Sequence, residues 1–445
     1  MSQKKTILAV VADENGEVFE HPELLLAGMN GMTVRHPEMD ELIPLPEGSR
    51  LFTIPDTPPI GYDRRTGQQV TAVKLPDDWG GGHIQAVSAF VTPAFTRTLL
   101  PAADYRKKQV ALTLWSYTAV GWCLEEERFY VAAVRVDRNR QWQAEHFDDR
   151  KLEPLVHRRV AESPDNRLIE QLSRCALDYH CFAAKNLFFG RWEAPLPCSP
   201  TCNANCVGCI SLQEASNCCP SSQERLTFVP TVQELCEIAV PHLKTAENAI
   251  VSFGQGCEGD PILQADTICA AVKEMRCQTS RGTINFNSNA SIPAAIDRLA
   301  EAGIDSIRVS LNSAQEHFYN AYFRPRGYRF ADVIDSIHRA KRNGLFTMLN
   351  YLVFPGLNDR DDEIEQLLEL IASADVDMIQ MRNLSIDPQL YWNAMGAEGA
   401  GIGMKKMLDR LKKDIPRLQF GYFNRTRENF YPEGFEKDWP LPATL

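Results

Sequence analysis

From about residue 192 onward, short apolar or β-branched runs alternate with amphipathic stretches of helical period. The runs are Ala249–Phe253, Gly282–Asn287, Ser306–Leu311, Phe346–Phe354 and Asp377–Arg382. Between them lie Thr231–Lys244, Ala265–Met275, Pro293–Ala302, Phe330–Asn343 and Asp361–Ala374. A β–α–β–α series with buried strands predicts an α/β fold on a parallel sheet. Right-handed crossovers curl such a sheet toward a barrel. A strand carrying Glu193–Pro197 comes first, which makes six. One run breaks the apolar pattern. In Ile307-Arg-Val-Ser-Leu-Asn312, a period of two puts Arg308, Ser310 and Asn312 on one face and Val309 and Leu311 on the other. A strand packed on apolar core from both sides would not carry Arg, Ser and Asn in register.

Residues 1 to about 150 read as β-rich and irregular. Val110–Leu124 and Arg128–Val136 predict two strands joined by the acidic turn Glu125–Glu127, and the Pro-, Gly- and Asp-dense stretch Glu41–Gly82 predicts loops between short strands. Leu168, Leu172, Cys175, Ala176 and Tyr179 recur at helical spacing, predicting one helix over about 165–190 that ends near Gly190. The expected organisation is an N-terminal β-rich accessory region ending in a helix (1–190), a core barrel (191–385), and a C-terminal helix and tail completing that core (386–445). A six-stranded barrel has an open side, which the accessory region is placed to cover.

Composition changes this picture little. The chain has 445 residues, 44% hydrophobic and 24% charged, ordinary proportions for a globular protein of two or three domains. A formal net charge of -11 argues against a nucleic-acid coat. The apolar run Ile7–Ala12 is too short for a signal-peptide core, and no stretch approaches the ~20 apolar residues that span a bilayer. The 13 cysteines are odd in number and sparse, unlike a secreted disulfide framework. Cytoplasmic residence is the expectation.

Three of those cysteines carry the candidate chemistry. Pro200-Thr-Cys-Asn-Ala-Asn-Cys-Val-Gly-Cys-Ile210 spaces Cys202, Cys206 and Cys209 as C-x3-C-x2-C. Three thiolates can hold three irons of a [4Fe–4S] cube and leave the fourth iron open, whereas electron-transfer clusters use four cysteines. Cys198, Cys218 or Cys219 could supply a fourth thiolate, which keeps open a closed cluster or a zinc site, and with it a non-catalytic iron–sulfur or zinc protein serving binding or electron transfer. The spacing resembles the cluster loop of the radical S-adenosylmethionine (SAM) superfamily. That resemblance implies a partial (β/α)6 TIM-like barrel, with [4Fe–4S] and SAM as cofactors. It also implies a low-potential electron donor such as flavodoxin or ferredoxin, and reductive cleavage of SAM to a 5′-deoxyadenosyl radical that abstracts hydrogen from a peptide, protein or metabolite.

Further motifs follow at successive strand ends, where ligands bind in parallel α/β folds. Gly254-Gln-Gly-Cys-Glu-Gly-Asp-Pro261 is similar to the superfamily's Gly-Gly-Glu-Pro motif. It implies SAM contacts from Gly256 and Gly259 and a carboxylate for the SAM ammonium, either Asp260 or Glu258. Asn287-Ser-Asn289 resembles a Thr-Asn-Gly motif, implying that Ser288 and Asn289 contact SAM. Arg308–Asn312 resembles an Arg-Val-Ser-Leu-Asp motif, implying Ser310 and Asn312 for SAM and leaving Arg308 between the SAM carboxylate and a structural salt bridge. Asn350–Asp359 resembles the adenine-side strand, and Asp359 could cap the next helix. Gln380, Arg382 and Asn383 point to the same mouth. Gly208 stands where an aromatic residue that packs on adenine is usual. Outside these motifs, Cys257 reads as a small residue in its loop, and Cys218-Cys219-Pro220 as part of a mobile loop. Arg324-Pro-Arg-Gly-Tyr-Arg329 reads as a solvated loop or a meeting point for an anionic substrate or acidic reductase, and Tyr422–Tyr431 as a tail closing the barrel.

Overall fold

The alternating half of the chain forms a parallel sheet of 7 strands whose neighbours follow sequence order throughout. A computed structural model describes residues 5–108, 111–141, 143–213, 219–437 and 439–442. The strands are Arg191–Pro195, Glu247–Phe253, Thr283–Ser288, Ser306–Leu311, Phe346–Val353, Met378–Asn383 and Gln419–Gly421. All six pairings are parallel. The first and last strands do not pair with each other, so the barrel is partial. Six strands stand within two residues of their expected starts. The seventh, three residues long, adds an edge that so short a segment could not announce.

Helix boundaries follow local chemistry. Thr231 caps Val232–Thr245 through a reciprocal pair with Glu234, and Pro293 opens Pro293–Ala302, which Gly303 closes in the left-handed conformation. The helix Glu316–Phe323 was not expected; it lies between the fourth strand and Phe330–Arg342. Two helices, Pro388–Met395 and Met404–Asp414, precede the last strand. Asp359 does not cap the helix Asp361–Ala374. It accepts hydrogen bonds from Asn30 and from the backbone of Gly356 and Gly403.

The first 150 residues form antiparallel strands, 10 in one sheet and 3 in another. Short strands at Leu42–Pro44, Arg50–Ile54, Ile60–Asp63 and Gln69–Thr71 fill the Glu41–Gly82 stretch as expected. Two expectations need correction. The strand expected over Val110–Leu124 is only Val120–Cys123, paired with Arg128–Arg135; Val110 lies outside the described residues. Upstream, Leu112, Leu114 and Tyr117 bury themselves without strand pairing, and the Leu112 N–H donates to Asp387 at 2.9 Å. The single helix expected over 165–190 is two, Arg167–Leu177 and Phe182–Phe189, preceded by Leu152–Glu162. The break falls at His180, whose positive φ of 51° ends helical continuity.

The N-terminal strands dock on the ends of the fifth and sixth barrel strands. Thr96 Oγ1 donates to the Met381 carbonyl at 2.6 Å, and Asn383 accepts from the Arg97 N–H and donates to the Phe95 carbonyl, both at 2.9 Å. The fully buried Arg97 guanidinium donates to the carbonyls of Val353 and Leu384, each at 2.8 Å, and of Tyr117 at 3.2 Å. One hydrophobic core spans both halves: Met29, Tyr105 and Leu172 belong to the same cluster as Leu196, Phe253 and Tyr391. At the opposite end the tail closes the barrel, with Phe430 stacked on Phe346 at 4.3 Å and Arg427 bonded to Thr283.

Candidate functional site

The cysteine loop leaves the first strand and is pinned by its backbone to the helix Glu316–Phe323 and its exit. Asn205 N–H donates to Phe323 at 2.9 Å, Val207 N–H to Tyr322 at 3.0 Å, and Arg326 N–H to Asn203 at 2.8 Å. Cys202, Cys206 and Cys209 are each partly buried. Burial pushes the Cys202 thiol up to about 11 and raises Cys206 well above its usual range, in part through the other two sulfurs. Arg225 approaches from the following segment, donating to Cys209 Sγ at 3.5 Å and to Ser211. Gln223 N–H donates to the Ile210 carbonyl, so residues 219–226 wrap the loop. Cys218 lies outside the described residues, and Cys219 is buried.

The loop after the second strand meets the cysteine loop backbone to backbone. Gly259 N–H donates to Ser199 at 2.7 Å and Asp260 N–H to Thr201 at 2.9 Å. A Cβ at Gly259 would stand 1.9 Å from the Thr201 carbonyl oxygen, so only glycine permits this approach. Gly254, at φ +80°, is equally close to the Asn287 carbonyl, and Gly256 faces Ile210 and Gln223. The two candidate carboxylates part company here. Glu258 accepts four backbone N–H groups, from Cys198, Ser199, Gly254 and Gln255, at 2.7–2.9 Å. Burial nevertheless pushes it up to about 7. Asp260 accepts from Ser288 Oγ at 2.6 Å, Asn289 N–H at 2.7 Å and Ile262 N–H at 3.1 Å. Its Oδ2 takes one of these bonds and keeps a lone pair. Asn289 Nδ2 reaches Asn203 of the cysteine loop at 2.8 Å. Asp260, Ser288 and Asn289 thus converge on Cys202 and Asn203.

Ser310 and Asn312 stand apart from that group. Ser310 faces the sheet interior and accepts from Asn350 at 3.4 Å. Asn312 is fully buried, its amide nitrogen bonded to the Phe318 carbonyl and the Tyr391 hydroxyl, and only its Oδ1 lacks a partner. The alternation read in the fourth strand extends to its neighbours: Glu193, Ser252, Asn285, Asn287, Arg308 and Gln380 form a polar inward face. Asn285 bridges Ser252, Asn287 and Ser306, and Asn424 joins Glu193 to Gln380.

The donor set fits a cluster with one open iron. Among the described residues no three His, Cys, Asp or Glu side chains converge as on a single metal ion, whereas a cubane spreads its thiolates over three corners. Cys198 is fully buried beneath Glu258 rather than turned to the other three. The space beside Gly208, where the usual aromatic is missing, is occupied by other side chains: a Cβ there would come within 3.2 Å of Tyr322 Oη and of Ile386. Tyr319, Tyr322 and Tyr328 crowd Cys206, all pushed up by burial and by that sulfur. None of the three was singled out from sequence, although Phe318, Tyr319, Tyr322 and Phe323 form a helical aromatic stripe. Arg225 carried no such signal. A cavity of about 510 Å³ lies on the opposite side, lined by Asn248 and Ile250 low on the second strand, Gln419 and the tail. It does not reach the cysteine loop.

The family profile described as "Radical SAM superfamily" matches residues 196–371. The FeMo cofactor biosynthesis protein NifB of Klebsiella pneumoniae is 24% identical over 226 residues, covering 48% of this chain and 44% of that protein. Molybdenum cofactor biosynthesis protein 1 of Mus musculus is 24% identical over 235 residues, covering 52% of this chain and 34% of that protein. The chain thus spans less than half the length of either curated relative. The crystal structure of methylornithine synthase (PylB) aligns over 60% of this chain and 73% of its own, at 14% identity and a TM-score of 0.35. Over residues 196–371 this chain carries the domain of the radical SAM superfamily, whose enzymes bind a [4Fe–4S] cluster and S-adenosylmethionine.

Proposed function

We propose that this chain is a radical SAM enzyme in which Cys202, Cys206 and Cys209 ligate the cluster and Asp260 receives the ammonium of SAM. The observation that carries the reading is the hydrogen-bonded junction of the cysteine loop with the Gly259–Asp260 and Ser288–Asn289 strand ends. A [4Fe–4S] cluster held by these three cysteines and reduced by one electron from outside would supply the reductive cleavage of SAM to methionine and a 5′-deoxyadenosyl radical for hydrogen abstraction from a substrate. The chain's residues do the rest. Glu258 fixes the backbone of the second-strand loop, and Ser288 and Asn289 orient Asp260. Ser310 offers a hydroxyl from the fourth strand, and Tyr322 with Ile386 walls the space beside Gly208. Residues 1–190 act as an accessory region that excludes water from the mouth, with the barrel over 191–385 and the remainder completing it. The substrate is a peptide, protein or metabolite. Arg324, Arg326 and Arg329 are exposed beside the cysteine loop and complement an acidic flavodoxin or ferredoxin. No described helix is long and apolar enough to cross a membrane, and the reducing cytoplasm suits such a cluster.

Anaerobic reconstitution tests this reading. The protein should take up one [4Fe–4S] cluster whose electron paramagnetic resonance spectrum changes on adding SAM. Cys202→Ala, Cys206→Ala and Cys209→Ala should each abolish it, and Cys198→Ala, Cys218→Ala and Cys219→Ala should not. Zinc without iron, or a cluster indifferent to SAM, overturns the reading.

A further inference from the structure

Two guanidiniums on the inward face of the sheet form no ion pair with a carboxylate among the described residues. Arg308, in the middle of the fourth of 7 strands, spends one donor on Gln380 Oε1 at 3.2 Å, and its buried Nε has no partner. Arg382, on the sixth strand, donates to the Tyr422 carbonyl at 2.8 Å and lies 4.5 Å over the Tyr422 ring. Neither forms an ion pair among the described residues. Arg97 shows what a structural buried arginine looks like in this protein: its Nε also lacks a partner, but three backbone carbonyls take three of its four terminal N–H groups. Arg308 has nothing comparable. Glu193 on the first strand acts on Arg308 by its charge without an ion pair, and its Oε1 accepts from Asn424.

Arg308 keeps some accessible surface although the group lies deep. Helices cover the outer face of a central strand, so that surface belongs to the space the sheet encloses. Burial and the neighbouring Arg382 push the guanidinium down to about 9, with Glu193 acting in the opposite direction. Two like charges held together in a poorly solvated space are unfavourable unless an anion joins them. Between them, Asn350 Oδ1 is a buried acceptor without a partner, so the same space also offers a place for a hydroxyl or amino group. SAM is accounted for elsewhere: Asp260 and Ser288 close on the second and third strands, whereas the Arg308 side chain reaches toward the sixth.

We propose that Arg308 and Arg382 bind an oxyanion of the substrate, a carboxylate or phosphate, and orient the molecule across the barrel from the cysteine loop. The inference rests on the radical SAM reading and deepens it by giving the substrate a chemical class. Guanidinium forks suit planar or tetrahedral oxyanions, which they bind through paired charge-assisted hydrogen bonds.

Calorimetry on the full-length, cluster-loaded protein with SAM present tests it, using succinate and inorganic phosphate as probes. At least one should bind saturably, and which one binds tells carboxylate from phosphate. Arg308→Gln and Arg382→Gln should each weaken that probe tenfold or more while changing SAM affinity less than twofold, and Arg382→Lys should retain part of the binding. No binding of either probe to the parent protein overturns the proposal, as does binding that survives both glutamine variants. A loss of SAM affinity in Arg308→Gln with probe binding intact assigns Arg308 to SAM and overturns it too. If Arg308→Gln does not fold, Arg382→Gln and Arg308→Lys carry the comparison. Should the protein take up no cluster, the radical SAM reading fails on its own, and probe titration of the cluster-free protein still decides the arginines.

Discussion

A carboxylate that already accepts four backbone N–H groups has no lone pair left for a ligand, and that is the state of Glu258. Its role is to hold the turn between Gly254 and the cysteine loop. Glu258→Gln replaces one acceptor oxygen by an NH2 group facing N–H donors, leaving two donors unpaired at ~1–3 kcal/mol each. The variant should lose about 2–6 kcal/mol in denaturant unfolding and fail to retain iron; unchanged stability with full cluster content would contradict the assignment. Asp260 is the opposite case. Asp260→Ala should weaken SAM binding by about one to two orders of magnitude, from hydrogen bonds to a charged group worth ~1.5–3 kcal/mol. Calorimetry giving normal SAM affinity in Asp260→Ala would sink this choice. The sequence left these two carboxylates unresolved because they sit two positions apart in a glycine-rich stretch. Their directions depend on a backbone path that only the contact with Thr201 and Ser199 fixes.

At the scale of elements, the strands and helices of the barrel were legible because period and length agreed, from Ser306–Leu311 to Asp361–Ala374. What escaped were elements whose identity depends on partners. Gln419–Gly421 becomes a strand only beside Met378–Gln380, and residues 111–117 stay out of the sheet, with Leu112, Leu114 and Tyr117 in the core shared with the barrel. The junction of elements is also where steric tolerance is least. Gly259→Ala would drive a methyl group into the Thr201 carbonyl at 1.9 Å, which no rotamer relieves. Iron per chain should fall to a small fraction of the parent value while the far-ultraviolet circular dichroism stays native. Full loading would show that the two loops part without consequence.

On the scale of the whole molecule, a division at residue 190 suggests a barrel that stands by itself, yet the hydrophobic core passes through that boundary without interruption. Contacts separated by hundreds of residues leave no periodic trace, so the docking of Phe95–Arg97 on the sixth strand was beyond sequence reading. Arg97→Met would leave the carbonyls of Tyr117 and Leu384 unpaired in the interior and leave that of Val353 with the Leu384 N–H alone. A loss of about 3 kcal/mol or more is expected, with faster release of 5′-deoxyadenosine in the absence of substrate as water enters. Parental stability and unaltered uncoupled turnover would separate the N-terminal region from the chemistry.

Arg97 also orders events in time. Apart from Ile386, the named residues that surround the three cysteines, from Ser199 to Tyr328, emerge as one stretch during synthesis. The carbonyl of Leu384, which Arg97 must reach across 287 positions, emerges later. If the N-terminal region covers the mouth as proposed, a nascent chain exposes its cysteine loop before that cover is locked. On the same reading, a finished chain that loses its iron takes up a new cluster more slowly, because its partly buried cysteines lie under that cover. Reloading of mature, stripped protein should then be slow, quickened by sub-denaturing urea and quickened likewise by Arg97→Met, so that the enclosure protecting the radical chemistry also sets how long a damaged molecule stays idle.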